Sequence, residues 1–206
     1  MTTPSESAPQ ISPHLAARGS RGVVILGAAG TGKSTLGDQL ADVLGWPVVE
    51  TEQEAQVLLG TELSEAFIAD PAAAQRAVDQ AAQDVLERIT EEEEPVVAVV
   101  SPSAGGTRAN LERIEHLKNQ GFLVVAVDAP TDILARRNGL TAARPVSLGT
   151  PRAWFRAQHE QLVGRYAEVD PVWLDTAAMT PNEVAETVLA LLGDAKDPVA
   201  GSSKLD

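Results

Sequence analysis

The sequence predicts an α/β fold: a three-layer sandwich in which a mostly parallel five-stranded sheet carries helices on both faces. Two observations lead there. Short apolar runs rich in Val and Ile alternate with segments whose apolar residues recur at helical spacing, the pattern of strand–helix units around a parallel sheet. The first such unit also encloses Gly27-Ala28-Ala29-Gly30-Thr31-Gly32-Lys33-Ser34-Thr35, a G-x-x-x-x-G-K-S loop with a strand before it and a helix after it. In open sheets of this kind ligands sit at the carboxyl ends of the strands.

Each element has a local reason. Val23 to Leu26 has the length and β-branching of a buried parallel strand. Leu36 to Leu44 places apolar residues at 36, 40, 43 and 44 and stops at Gly45, as a helix should. Trp46 to Glu50 reads as the second strand, Glu52 to Leu59 as a short helix ended by Gly60, and Thr61 to Ala69 as another. Asp70-Pro71 is an N-cap followed by proline at the first helical position, and it opens a long helix to Thr90. The core face of that helix is Val78, Ala81, Ala82, Val85, Leu86 and Ile89. Glu91 to Glu94 reads as a solvated helix end.

Pro95 to Val100 is the most hydrophobic strand, and Ser101 to Gly106 follows it as a turn. A helix from Thr107 to Asn119 closes at Gly121, Phe122 to Val127 forms the next strand, and Thr131 caps a helix to about Asn138. Residues 139–151 are punctuated by Gly and Pro and are expected to form a mobile flap. Pro151 to Val169 reads as a helix, Val172 to Asp175 as the last strand, and Pro181 to Leu192 as the final helix. Residues 1–20 are expected to be a disordered arm, 21–192 the folded domain, and 193–206 a loose tail.

Composition narrows the function. The 206 residues carry 29 acidic against 16 basic side chains, a formal charge of -13, which argues against nucleic acid or anionic membranes as partners. There is no cysteine, hence no disulfide and no thiolate metal site. The three histidines are scattered and read as surface or capping residues. No apolar run approaches the ~20 residues that span a bilayer, and no hydrophobic signal core is evident, so a cytoplasmic monomer is expected. The glycine loop supplies the chemistry. Its backbone N–H groups converge on phosphate oxygens beside a positive helix end. Gly27, Gly30, Thr31, Gly32, Lys33, Ser34 and Thr35 are therefore the nucleotide-binding candidates, with Lys33 reaching the β- and γ-phosphates and Ser34 offering a Mg²⁺ ligand.

Beyond the loop, Glu50 and Glu52 follow the second strand, Arg76 lies in the long helix, and Arg136-Arg137 precede Arg144-Pro145. With these residues, Val23 to Leu192 resembles the shikimate kinases, small-metabolite kinases of the P-loop NTPase, nucleoside-monophosphate-kinase-like fold. The resemblance implies ATP and Mg²⁺ as cofactors and a small hydroxylated carboxylate as acceptor. By position, Glu50 would support the Mg²⁺ shell and Glu52 would orient the acceptor hydroxyl and take its proton. Arg76 would bind the acceptor carboxylate, and Arg144 would add positive charge at the transferring phosphate. Arg137 and Pro181 would cover the two faces of adenine.

Three departures fall on the acceptor side. The family has Asp at both acidic positions. Ser101-Pro102-Ser103 replaces a triple glycine, which makes the two serines acceptor-site candidates and removes an N–H. Leu162 stands where the family has a second carboxylate-binding arginine, and Arg165 projects from a face about 60° away at ~100° per residue. Phosphorylation of shikimate is the leading expectation. Phosphorylation of a gluconate-like acceptor, or nucleotide binding without transfer, are the alternatives that these departures leave open.

Overall fold

A computed structural model describes residues 20–139 and 151–194. The expected arm up to residue 19, the expected flap with Arg144 and Pro145, and the tail from 195 lie outside the described residues. The described chain runs β1 (Gly22–Gly27), α1 (Lys33–Leu44), β2 (Val48–Glu50), α2 (Thr51–Leu59), α3 (Leu63–Ala69), α4 (Pro71–Glu91) and β3 (Val96–Val99). It continues through α5 (Pro102–Gly105), α6 (Arg108–Asn119), β4 (Phe122–Asp128), α7 (Thr131–Arg137), α8 (Pro151–Tyr166), β5 (Val172–Asp175) and α9 (Pro181–Asp194). The five strands form one sheet in the order β2-β3-β1-β4-β5, and every neighbouring pair is parallel. The expected three-layer α/β sandwich is what forms.

The period of two along each strand divides the core. Val24, Leu26, Val96, Ala98, Val124 and Ala126 face one side, where Val85, Leu86 and Ile89 of α4 and Leu111, Ile114 and Leu117 of α6 cover them. Val23, Ile25, Val97, Val99, Val125 and Val127 face the other, against Leu36, Leu40 and Leu44 of α1 and Val184, Val188 and Leu192 of α9. With both faces covered, the strands have no polar side to show, hence their unbroken apolar sequence. β1 lies in the middle of the sheet, so the loop at its carboxyl end has walls on both sides.

Most helix boundaries follow their signals. Asp70 accepts hydrogen bonds from the N–H groups of Ala72 (3.1 Å) and Ala73 (2.9 Å), the cap expected of it. Two places differ. Ser101 to Gly106 is a one-turn helix, closed by the Gly105 N–H donating to the Ser101 carbonyl at 2.8 Å; proline at its first position presets the helical φ. Thr131 is the first residue of α7, with Pro130 at the cap position, and its hydroxyl turns to His159.

Gly37 sets how closely α1 lies on the sheet. A Cβ there would stand 2.6 Å from Val99 Cγ2. Gly37→Leu gains about 1 kcal/mol of helix propensity but overpacks the α1–β3 contact at a cost of about 1–3 kcal/mol. A net loss in urea unfolding is expected; a raised midpoint would show that α1 moves outward freely.

Candidate active site

The phosphate loop leaves β1 at Gly27, where a Cβ would collide with the Val127 carbonyl of the adjacent strand and approach the Thr31 hydroxyl. Gly32 takes the left-handed conformation (φ 94°) directly before α1. No side chain caps α1, so its first-turn N–H groups point out as anion donors. The Ala28 carbonyl gathers the loop: it accepts from the Thr31 hydroxyl at 2.9 Å and from Lys33 Nζ at 3.0 Å.

Lys33 is only 8% exposed. Burial lowers its pKa from 10.5 to about 8, although Glu52 and, more weakly, Glu50 pull it upward. Those carboxylates are close because β2 ends at Glu50 and α2 begins at Thr51. Lys33, Ser34, Glu50, Glu52 and Ser101 together line one small cleft of about 30 Å³. The structure thus gathers the expected catalytic lysine, both acids, the expected Mg²⁺ ligand and one expected acceptor-site serine.

Two larger cavities flank the loop. On one side, about 310 Å³ is bounded by Gly30, Thr31, Gly32, Thr35, Arg137 and Pro181, which brings the loop residues and the expected adenine-covering pair together. Arg137 is fixed there by donating to the Gly30 carbonyl, the Thr176 hydroxyl and the Thr176 carbonyl, each at 3.2 Å. Asn138 donates to the Ala29 carbonyl at 2.9 Å, a second tie between α7 and the loop. On the other side, about 410 Å³ is bounded by Ala28 and Ala29 of the loop, by Gln75 and Ser103, and by Trp154, His159, Leu162 and Arg165 along α8. Arg76 is exposed on α4 and is not among the residues bounding either cavity; its neighbour Gln75 is. Arg136 is exposed, 3.7 Å from Asp132.

A family model described as shikimate kinase matches residues 29–193. The chain belongs to the shikimate kinase family. It is 31% identical to the shikimate kinase of Thermobifida fusca (strain YX) over 174 residues, 84% of this chain and 96% of that one. With the shikimate kinase of Salinispora tropica it shares 32% identity over 169 residues, 82% and 96% of the two chains. Among solved structures, shikimate kinase from Acinetobacter baumannii in complex with shikimate matches with a TM-score of 0.67, at 22% identity over 86% of this chain and 96% of that one. A gluconokinase from Sinorhizobium meliloti 1021 matches with a TM-score of 0.56, also at 22% identity, over 85% and 92%. These two structural likenesses show the fold.

Against that family background, two residues at the site escaped the reading of the sequence. Thr51 is fully buried and its hydroxyl accepts from the Ser101 N–H at 2.8 Å, tying the starts of α2 and α5 together. His159, expected at the surface, has a side chain only 11% exposed; its Nε2 lies 2.7 Å from Asp128 Oδ1 and its Nδ1 3.3 Å from the Thr131 hydroxyl. Asp128 ends β4, and its carbonyl accepts from the Thr176 N–H (2.8 Å) and hydroxyl (3.0 Å). No short-range pattern joins residues 31 positions apart. Only a strand end followed by an Asp could have hinted at a partner.

Two outcomes follow from this geometry. His159→Ala leaves the half-buried Asp128 carboxylate without its partner and is expected to cost about 1–3 kcal/mol. Removing both side chains should cost less than the sum, with a coupling of roughly 0.5–3 kcal/mol in urea unfolding; additive losses would show that the contact contributes nothing. Lys33, partly deprotonated in the free protein above about pH 8, recovers its proton when a triphosphate arrives, because the added negative charge raises its pKa. Affinity for metal-free nucleotide should therefore weaken as pH climbs past that value, with proton uptake on binding. Calorimetry at alkaline pH in buffers of different ionisation enthalpy reads this directly, and binding without uptake would contradict it.

Proposed function

We propose that the protein transfers the γ-phosphoryl group of ATP to a hydroxyl of shikimate, giving shikimate 3-phosphate and ADP. The observation that carries this is the double use of the phosphate loop. Gly30, Thr31 and Gly32 bound the cavity that holds Arg137 and Pro181, while Ala28 and Ala29 bound the cavity on the other side. A triphosphate laid along the loop from the first cavity presents its terminal phosphate towards the second. Family membership supplies the acceptor, and the amide- and arginine-lined second cavity is suited to a small hydroxylated carboxylate.

The residues then divide the work. The acceptor oxygen forms a bond to the γ-phosphorus as the bond to the bridging β–γ oxygen breaks. Glu52 takes the hydroxyl proton, and ADP carries away the electron pair. The Lys33 ammonium and the first-turn N–H groups of α1 hold the charge that gathers on the phosphate oxygens. By its place in the sequence, Arg144 adds a further positive charge to hold it. Ser34 and Glu50, which line one cleft, would hold Mg²⁺ through hard oxygen donors. Among the described residues no group of three His, Cys, Asp or Glu is placed to hold a metal. When bound, Mg²⁺ neutralises phosphate charge and aligns the chain of phosphates. The protein acts in this reading as a monomer, and the reaction belongs to aromatic amino acid biosynthesis in the cytoplasm.

A coupled assay with Mg²⁺–ATP tests this. Shikimate-dependent ADP release is expected at the ~1–10³ s⁻¹ of ordinary enzymes, with none for gluconate or without acceptor, and Lys33→Ala should abolish tight ATP binding. Turnover with gluconate, or none with shikimate in a protein that binds ATP, would overturn the assignment.

A further inference from the structure

The cavity beside Ala28 and Ala29 holds a guanidinium from a position that the family pattern does not use. Gln75, Ser103, Gly106, Trp154, Leu162 and Arg165 bound much of it, and among the described residues bounding it there is no carboxylate. In this chain of net charge -13, about half of the described cations are matched. Arg88, Arg108, Arg113, Lys118 and Arg136 each lie within 4.0 Å of an Asp or Glu. Among the described residues Arg165 has no such partner. Its recorded bond is from Nη1 to the Gly106 carbonyl at 3.0 Å. A guanidinium has five N–H donors in a fixed fork, so one neutral acceptor leaves most of them free for an anion.

The Leu162 and Arg165 side chains both pack against Gly106. A Cβ there would stand 2.9 Å from Leu162 Cδ1, so glycine makes room for Leu162, while Arg165 Cδ at 3.5 Å lies in ordinary contact with the same position. Leu162 and Arg165 are three residues apart and neighbours on the helix surface. Leu162 is half-buried against the apolar core, and Arg165 carries the charge at the rim of the same cavity. The face of α8 reached by Arg165 is therefore the acceptor face, contrary to the expectation from its angular offset.

We propose that Arg165 binds the carboxylate of the acceptor, with the Gln75 amide and the Ser103 hydroxyl beside it, so that the anion site of this chain sits one turn along α8 from Leu162. The proposal rests on the acceptor reading above and names the residue that sets its specificity. Arg165 is a binding residue: it holds the part of the acceptor that does not react.

The test combines Arg165→Met, Arg165→Lys and, as a control for loss of one positive charge on the same helix, Arg156→Met. Arg165→Met should raise the KM for shikimate about 10- to 100-fold, leaving the KM for ATP and the thermal midpoint unchanged. Lysine should recover part of the loss, because it keeps the charge but lacks the fork. Arg156→Met should behave as the parent protein. An analogue with the carboxylate replaced by hydroxymethyl should not distinguish Arg165→Met from the parent. Shikimate turnover that Arg165→Met leaves unchanged would overturn this inference and spare the assigned reaction. Calorimetric titration of shikimate into the protein holding a non-hydrolysable ATP analogue separates the reverse case. Binding that is lost in Arg165→Met without any turnover in the parent would uphold the anion site and sink the assigned reaction. Equal binding to both, or none to either, would overturn the site.

Discussion

Burying the ammonium of Lys33 withdraws a charge from water, and the groups around it answer that cost. The Ala28 carbonyl accepts from it, and Glu52 and Glu50 surround it with negative charge, yet burial still prevails and the pKa falls to about 8. Such a group can be kept only by a rigid frame. The frame is the middle of a five-stranded parallel sheet covered on both faces, with β1 between β3 and β4. Glu50 ends the strand two places away and Glu52 lies in the first turn of the helix that follows it, and their approach is set by the register in which Glu50 pairs with Val99. A charge held at this expense gains most from a polyanion, so the fold is at its most comfortable with phosphate in the loop.

Most of the architecture was legible in the sequence because its signals are local. Val23 to Leu26, Val96 to Val99 and Phe122 to Val127 announce buried strands, and Asp70-Pro71, Gly45 and Gly121 mark helix ends with residues chosen for their backbone angles. The loop is a contiguous motif, and Arg137 and Pro181, picked out by spacing, border one cavity with its residues. The side-chain pairings near the other cavity were not legible. His159 and Asp128 meet across 31 residues, Thr51 and Ser101 across 50, and such pairings leave no periodic trace.

Arg165 shows a different limit. A helical angle alone did not show that its long side chain reaches the Gly106 carbonyl. Gln75 and Arg76 show the complement. One residue of separation on a helix turns a side chain by ~100°, and here the amide bounds the cavity while the guanidinium is exposed. Matching residues to a family places them along the chain, and the packing of α4 and α8 decides which of them meet a ligand.

Asp128 serves both halves of the site with different atoms. Its carboxylate meets His159 on the wall of one cavity, while its carbonyl holds Thr176, which in turn seats Arg137 in the other. Two compartments are thereby surveyed from one benchmark at the tip of β4, so a substitution that shifts this tip bears on the walls of both at once.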